Sequence, residues 1–283
     1  MNYVLILVTF ACLYSVAGLS CAHLYRRLRL VSVGQAAVLG TGAYTFAILQ
    51  THGLPIAISV LVTILAAVVF GAVIAGLSER AVGEDYALLT FAIQMMWSGV
   101  VANWTGFTRG PMGISGLGAG LSLGSVDPLY LYTALSAVVA VGIFWLVQRQ
   151  ETGPFSRSTA VVARSSELAS TIGVHPLWSR FQVGAVSGAL AGAAGLLLTL
   201  FVTYVAPSSF GIDVGVTILA ISFFALKGNL GKIFLGTSVL VLVPQLARFA
   251  GLQSSRAGYL QMLLAGGAVC LIARPSLRDH LGS

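Results

Sequence analysis

Apolar runs of about 20 residues, the length a helix needs to cross a bilayer core, recur along the whole chain. A sequence so constructed cannot coat a water-soluble globule. Of its 283 residues 57% are hydrophobic and only 8% charged, too few polar side chains for an aqueous surface. The expected fold is an all-α polytopic membrane protein, a single transmembrane domain over 1–283 interrupted by one long polar loop at 148–180.

Spans are expected at about 3–23, 30–50, 55–77, 86–103, 128–147, 181–205, 214–226, 233–250 and 257–273, nine in all within a range of roughly eight to ten. The seventh is short, and the second contains Gly34, Gly40 and Gly42, so either is a candidate for a broken or re-entrant segment. The first run, Tyr3–His23, has no basic residue before it and Arg26, Arg27 and Arg29 after it. That is the reverse of a signal peptide, and it reads as a retained first span with its N-terminus outside.

Basic residues test the orientation. Alternating spans put Arg26, Arg27, Arg29, Arg80, Arg149, Arg157, Arg164, Arg180, Lys227, Lys232, Arg274 and Arg278 on one side, and Arg109, Arg248 and Arg256 on the other. Twelve against three places the first set, the 148–180 loop and the C-terminus in the cytoplasm. The net charge of +7 therefore reports topology, and no nucleic-acid partner is implied. The outside segment 104–127, with its Gly, Ser and Pro punctuation, reads as ordered turns.

Two stretches carry information about helix contacts. In the sixth span Gly184, Gly188 and Gly192 recur every four residues, a smooth face for close approach of another backbone. In the second, Gln35 places a side-chain amide within the membrane, where it needs a partner helix or a water-lined cavity. Its small, polar surroundings make Gln35, Gly40, Gly42 and Tyr44 the pathway candidates, with intramolecular packing as the alternative.

The polar loop reads as two short helices. Ser158 or Thr159 can cap a first one running to Arg164, Ser165-Ser166 supply a break and a second cap, and Glu167 falls in the next first turn. Gly173 closes the second helix and Pro176 prevents its resumption. Such a knob, with small residues Ala169, Ser170 and Gly173, fits a groove on another protein; a solvated loop without a partner fits the same spacing.

Several segments together resemble the permease subunits of branched-chain amino acid ABC importers, specifically the LivM-type partner of a heterodimer. They are Ser32-Val33-Gly34-Gln35-Ala36-Ala37-Val38-Leu39-Gly40-Thr41-Gly42-Ala43-Tyr44-Thr45, then Asp85–Thr90, Asn103-Trp104-Thr105, Thr108–Gly116 and Phe201–Gly211, in the family's order. The loop element Glu167-Leu168-Ala169-Ser170-Thr171-Ile172-Gly173 is one substitution from the Glu-Ala-Ala, three residues, Gly pattern that such subunits present to their ATPase. The chain departs from the family at Leu168 and at Ala225–Lys232, where a Gly-Gly-x-Gly turn is usual.

The resemblance implies an ATP-driven importer in a bacterial plasma (inner) membrane, bathed in lipid. Its partners would be a second and different permease chain, two cytoplasmic ATPases and an extracytoplasmic solute-binding protein. Coupling to the ATPase would fall on Arg157, Arg164, Glu167, Leu168, Ala169 and Gly173. Branched-chain or related apolar amino acids are the implied cargo, with urea, short amides and aromatic acids carried by relatives.

No cofactor is expected in this chain, ATP being bound by the partner subunits. Gly228-Asn229-Leu230-Gly231-Lys232 has the wrong spacing for a phosphate loop, and Ile233 stands where Ser or Thr is needed. Cys12, Cys21 and Cys270 lack paired spacing, so neither a disulfide framework nor a metal site is expected. His23, His52, His175 and His280 are scattered, which argues against an enzyme. An ion-coupled secondary transporter is the competing class, but it usually buries acids along its path. Here Asp85 and Asp213 read as lying at span boundaries, Asp213 as a helix cap.

Overall fold

The computed structural model describes residues 2–81, 83–116, 128–151, 154–226, 236–241 and 267. Long helices dominate it: α1 (Asn2–Leu28), α2 (Gln35–Thr51), α3 (Ile56–Gly76), α4 (Glu84–Asn103), α6 (Pro128–Glu151), α9 (Pro176–Val202) and α10 (Ile212–Leu226). Shorter ones are α5 (Thr105–Thr108), α7 (Pro154–Arg164) and α8 (Ser166–Thr171). Five described helices are long and apolar enough to span a membrane, and the pair formed by α4 and the segment Thr105–Met112, bent by 74°, makes a sixth. Each of the first seven expected spans has a helix within a few residues. The eighth and ninth, the Ala225–Lys232 departure beyond Leu226 and the C-terminal tail lie almost wholly outside the described residues.

The bundle is built around α9, against which α1, α2 and α3 all pack. Its glycines decide how closely. A Cβ on Gly184 would lie 2.5 Å from the Gly71 carbonyl oxygen, and one on Gly188 would overlap that of Ala67. In lipid, where apolar side chains gain little by leaving their solvent, such backbone contact supplies the packing that holds helices together. The remainder of α3 states the same logic in reverse. Its buried stripe is small or polar (Ser59, Thr63, Ala67, Gly71), and its exposed stripe is Ile58, Leu61, Leu65, Val69 and Val73. Large apolar residues outside and small ones inside is the arrangement a hydrocarbon solvent permits.

Two spans depart from a simple helix. Arg29 adopts φ 56°, a left-handed turn that ends α1. The chain from Leu30 to Gly34 then climbs back beside α1 without helix, the Cys21 Sγ donating to the Ser32 carbonyl at 3.6 Å. Consequently α2 begins part-way into the bundle, with the Val33 amide donating to Thr90 Oγ1 of α4 at 3.1 Å. The seventh span is likewise broken. A two-stranded ribbon, β1 (Ile114–Ser115) and β2 (Tyr204–Val205), ties the end of α9 to the connection after α5. A 3-10 turn, Pro207–Phe210, leads inward from it to α10. The expected ordered turns after Trp104 are present up to Gly116; residues 117–127 lie outside the described set.

At one end of the bundle the C-termini of α1 and α3 meet α7, α8 and the start of α9. This end gathers Arg26, Arg27, Arg29, Arg80, Arg157, Arg164 and Arg180. The ribbon is on the far side.

Candidate functional site

The first region of interest is the junction where both broken spans meet α4. Gln94 is the eleventh of the 20 residues of α4, so it sits at half height, about 15 Å from either end at 1.5 Å per residue. Its Nε2 donates to the Phe210 carbonyl at 2.7 Å, which carries the 3-10 turn to mid-depth. Around that turn Tyr44, Trp97 and Phe210 form a closed triangle of edge contacts, with ring centroids 5.9, 6.2 and 6.1 Å apart. These are favourable quadrupole geometries. Trp97 is further held by its Nε1, which donates to Thr41 Oγ1 at 3.0 Å, and by Gly40, where a Cβ would overlap the indole. Two buried polar atoms here have no partner: Gln94 Oε1 and the Tyr44 hydroxyl.

The second region is the knob at the basic end. Ser165 is extended (φ −158°, ψ 124°), and its hydroxyl accepts from the Leu168 amide at 3.3 Å, the N-cap that starts α8. Gly173, at φ 80°, ends it: the Gly173 amide donates to Ser170 O and the Val174 amide to Ala169 O, a left-handed C-terminal turn in which glycine carries no Cβ penalty. Pro176 then opens α9 at its first position. The knob is fastened by the fully buried Ala169 and by Arg180, whose Nη2 donates to Ser166 Oγ at 2.9 Å. Its exposed surface includes the large apolar side chains of Leu168 (62% exposed) and Ile172 (63%), with Trp178 (64%) at the start of α9 beside them.

A family model described as the permease component of the branched-chain amino acid transport system matches residues 3–273. The chain belongs to that family. No curated protein and no solved structure matches it significantly. Membership makes it a transport permease rather than an enzyme, and a component of an ABC transporter.

The structure distributes the permease's sequence-derived candidates unevenly. Gln35 is buried, and its Nε2 donates to Ser20 Oγ at 2.8 Å and Ser187 Oγ at 2.9 Å, a tie between α2, α1 and α9. Gly42 faces α9, where an added Cβ would come within 2.7 Å of Gly192 backbone atoms. Gly40 and Tyr44 do meet at one place, the aromatic triangle. Gly184, Gly188 and Gly192 line the crossing with α3. On the knob, Arg157, Arg164, Glu167, Leu168 and Gly173 are exposed, and Ala169 is the buried pivot. The first loop helix starts at Pro154, four residues before Ser158, and Thr159 is internal to it, its hydroxyl donating to Ser156 O at 3.1 Å.

Gln94 and Trp97 escaped the sequence reading, and Thr90 and Phe210 entered it only as members of the resembling segments, without a role. Gln94 carried the signal that drew notice to Gln35, a lone amide in an apolar run; Trp97 carried none. Asp213 differs from expectation as well. It stands inside the first turn of α10 rather than at its cap, and three residues beyond the mid-depth Phe210 rather than at a span boundary.

Proposed function

We propose that this permease is one half of the membrane channel of an ATP-driven importer in a bacterial inner membrane. It would pass branched-chain or related apolar amino acids released by an extracytoplasmic binding protein. A second, different permease chain completes the pathway, and two ATPases dock on the basic end, which faces the cytoplasm with the N-terminus opposite. The observation that carries this reading is the knob. A short helix with a built cap and a built stop presents Glu167, Leu168 and Ile172 to the exterior at the end where arginines gather. Exposed apolar groups clustered outside the lipid-facing length of the bundle call for a protein partner.

Mechanistically, ATP-driven motion of the docked subunits would displace α8. Because α8 is joined to α9 through Gly173–Pro176 and pinned by Arg180, the displacement passes into the helix on which α1, α2 and α3 pack. α2 carries Gly40 and Tyr44, so motion of α9 reaches the mid-depth junction through the Gly42–Gly192 contact. Gln35 and Gly42 transmit, while Gly40 and Tyr44 shape the pathway wall. A nucleotide-biased two-state element is what such coupling requires.

The test uses the assembled transporter in vesicles. Glu167→Arg reverses charge at an exposed site and Gly173→Arg adds bulk at the turn. Both should abolish ATPase stimulation by loaded binding protein, at least tenfold, with membrane insertion and helix content retained. Parental uptake and stimulation in both would refute docking at the knob. The ion-coupled alternative gains one observation, the depth of Asp213; uptake driven by a proton gradient without ATP would establish it.

A further inference from the structure

Among the described residues, nearly everything this permease turns outward along its spans is apolar, as the α3 stripe illustrates. The start of the seventh span is different. Ser208, Ser209 and Asp213 are exposed there, while Phe210, Val214 and Ile218 of the same segment turn inward. Depth makes this patch significant. The Phe210 carbonyl is bonded to the midpoint of α4, and Gly215 lies against Val33 and Ala36 at the start of α2, so Asp213 is held between two points well inside the bundle. A carboxylate at that level faces a bundle interior or a watery cavity, because lipid cannot solvate it. Among the described residues no cation pairs with it.

Behind this patch the interior is polar. Beneath the same turn are Gln94 Oε1 and the Tyr44 hydroxyl, unpartnered on side chains that are 0% and 4% exposed, both belonging to residues in contact with Phe210. On its exposed side the turn carries a carboxylate and two serine hydroxyls, an acceptor-rich patch. Its complement is a group with several N–H donors and a positive charge.

We propose that Asp213 is the ammonium-recognition point of the translocation pathway, taking the protonated amino group of the passing solute with Ser208 and Ser209 as its neighbouring acceptors. This rests on the importer reading above and sharpens it. The cargo is an amine-bearing apolar solute, whereas urea, short amides and aromatic acids offer no cation to Asp213. Contact at an exposed carboxylate is weak enough to release, which suits a pathway rather than a store.

The experiment uses the full transporter, with partner permease, ATPases and binding protein, reconstituted in vesicles and supplied with leucine. Asp213→Asn is expected to lower leucine uptake at least tenfold, with leucine binding by the binding protein and basal ATP hydrolysis unchanged; Asp213→Glu restores most of the rate. Independently, Asp213→Cys in a Cys270→Ser background should react with a hydrophilic cationic thiol reagent in the assembled complex, and leucine-loaded binding protein should slow the reaction. Cys12 and Cys21 are buried and give little background. Parental uptake by Asp213→Asn, or an inert Asp213→Cys variant whether or not Asp213→Asn assembles, overturns the assignment and makes Asp213 a structural contact. If the parental complex shows no ATP-driven leucine uptake, the importer reading falls and this inference with it. Parental transport that is indifferent to Asp213 removes this inference alone.

Discussion

Gln35→Leu separates a structural tie from a pathway residue. The amide donates to Ser20 Oγ and Ser187 Oγ, linking three helices through one side chain. Replacement by leucine keeps the approximate size and removes both bonds. It strands no hydroxyl proton, because Ser20 Oγ donates to Ala17 O at 2.6 Å and Ser187 Oγ donates to Ser20 O at 2.8 Å. Hydrogen bonds between membrane helices average about 0.6 kcal/mol and reach about 1.7, so losing two with their partners still engaged should cost about 1 to 2 kcal/mol. That is roughly a 5- to 30-fold shift in the unfolding equilibrium, every 1.4 kcal/mol being about tenfold. Unfolding of the purified permease by sodium dodecyl sulfate in mixed micelles, followed by tryptophan fluorescence, measures it. Solute preference in reconstituted vesicles should be unchanged. Unaltered stability together with altered preference would refute the reasoning and return Gln35 to the pathway wall.

Gly188→Leu should destabilise the same fold through the α3–α9 crossing, since even its first carbon would overlap the Ala67 carbonyl; overpacking of this kind costs about 1 to 3 kcal/mol. Gly142→Leu on α6, where an added Cβ meets nothing within 4 Å, is the matched control, and thermal unfolding in detergent should rank the two. Ser165→Ala removes the α8 cap, worth about 0.5 to 2 kcal/mol. Faster hydrogen exchange at the Leu168 amide, with the membrane core still protected, is the expected readout.

Local rules were readable one residue at a time. Ser165 as cap, Gly173 as stop and the four-residue glycine spacing of the sixth span each describe an interaction with a near neighbour or a property of one helix face. The structure places all three accordingly. Boundaries were less legible. α9 begins at Pro176, five residues before the expected span, because proline at the first helical position joins the polar knob directly to the membrane helix. Depth was not legible at all. Apolarity along the chain shows that 30–50 and 214–226 belong in hydrocarbon, but an extended re-entry through Leu30–Gly34 and a turn at Pro207–Phe210 read much like the adjoining helices.

The sequence by itself determined a multi-spanning helical chain with a capped knob between its fifth and sixth spans, since length, hydropathy and capping are properties of contiguous residues; that the chain is a permease came from its resemblance to a family. Only the tertiary structure decided that Tyr44, Trp97 and Phe210 share one mid-depth junction, that Gln35 ties helices through Ser20 and Ser187, and that Asp213 opens a helix inside the bundle. Those facts depend on residues separated by tens to more than a hundred positions, brought together by close backbone contacts on α9 whose glycine spacing marks a face without naming the helices that meet it.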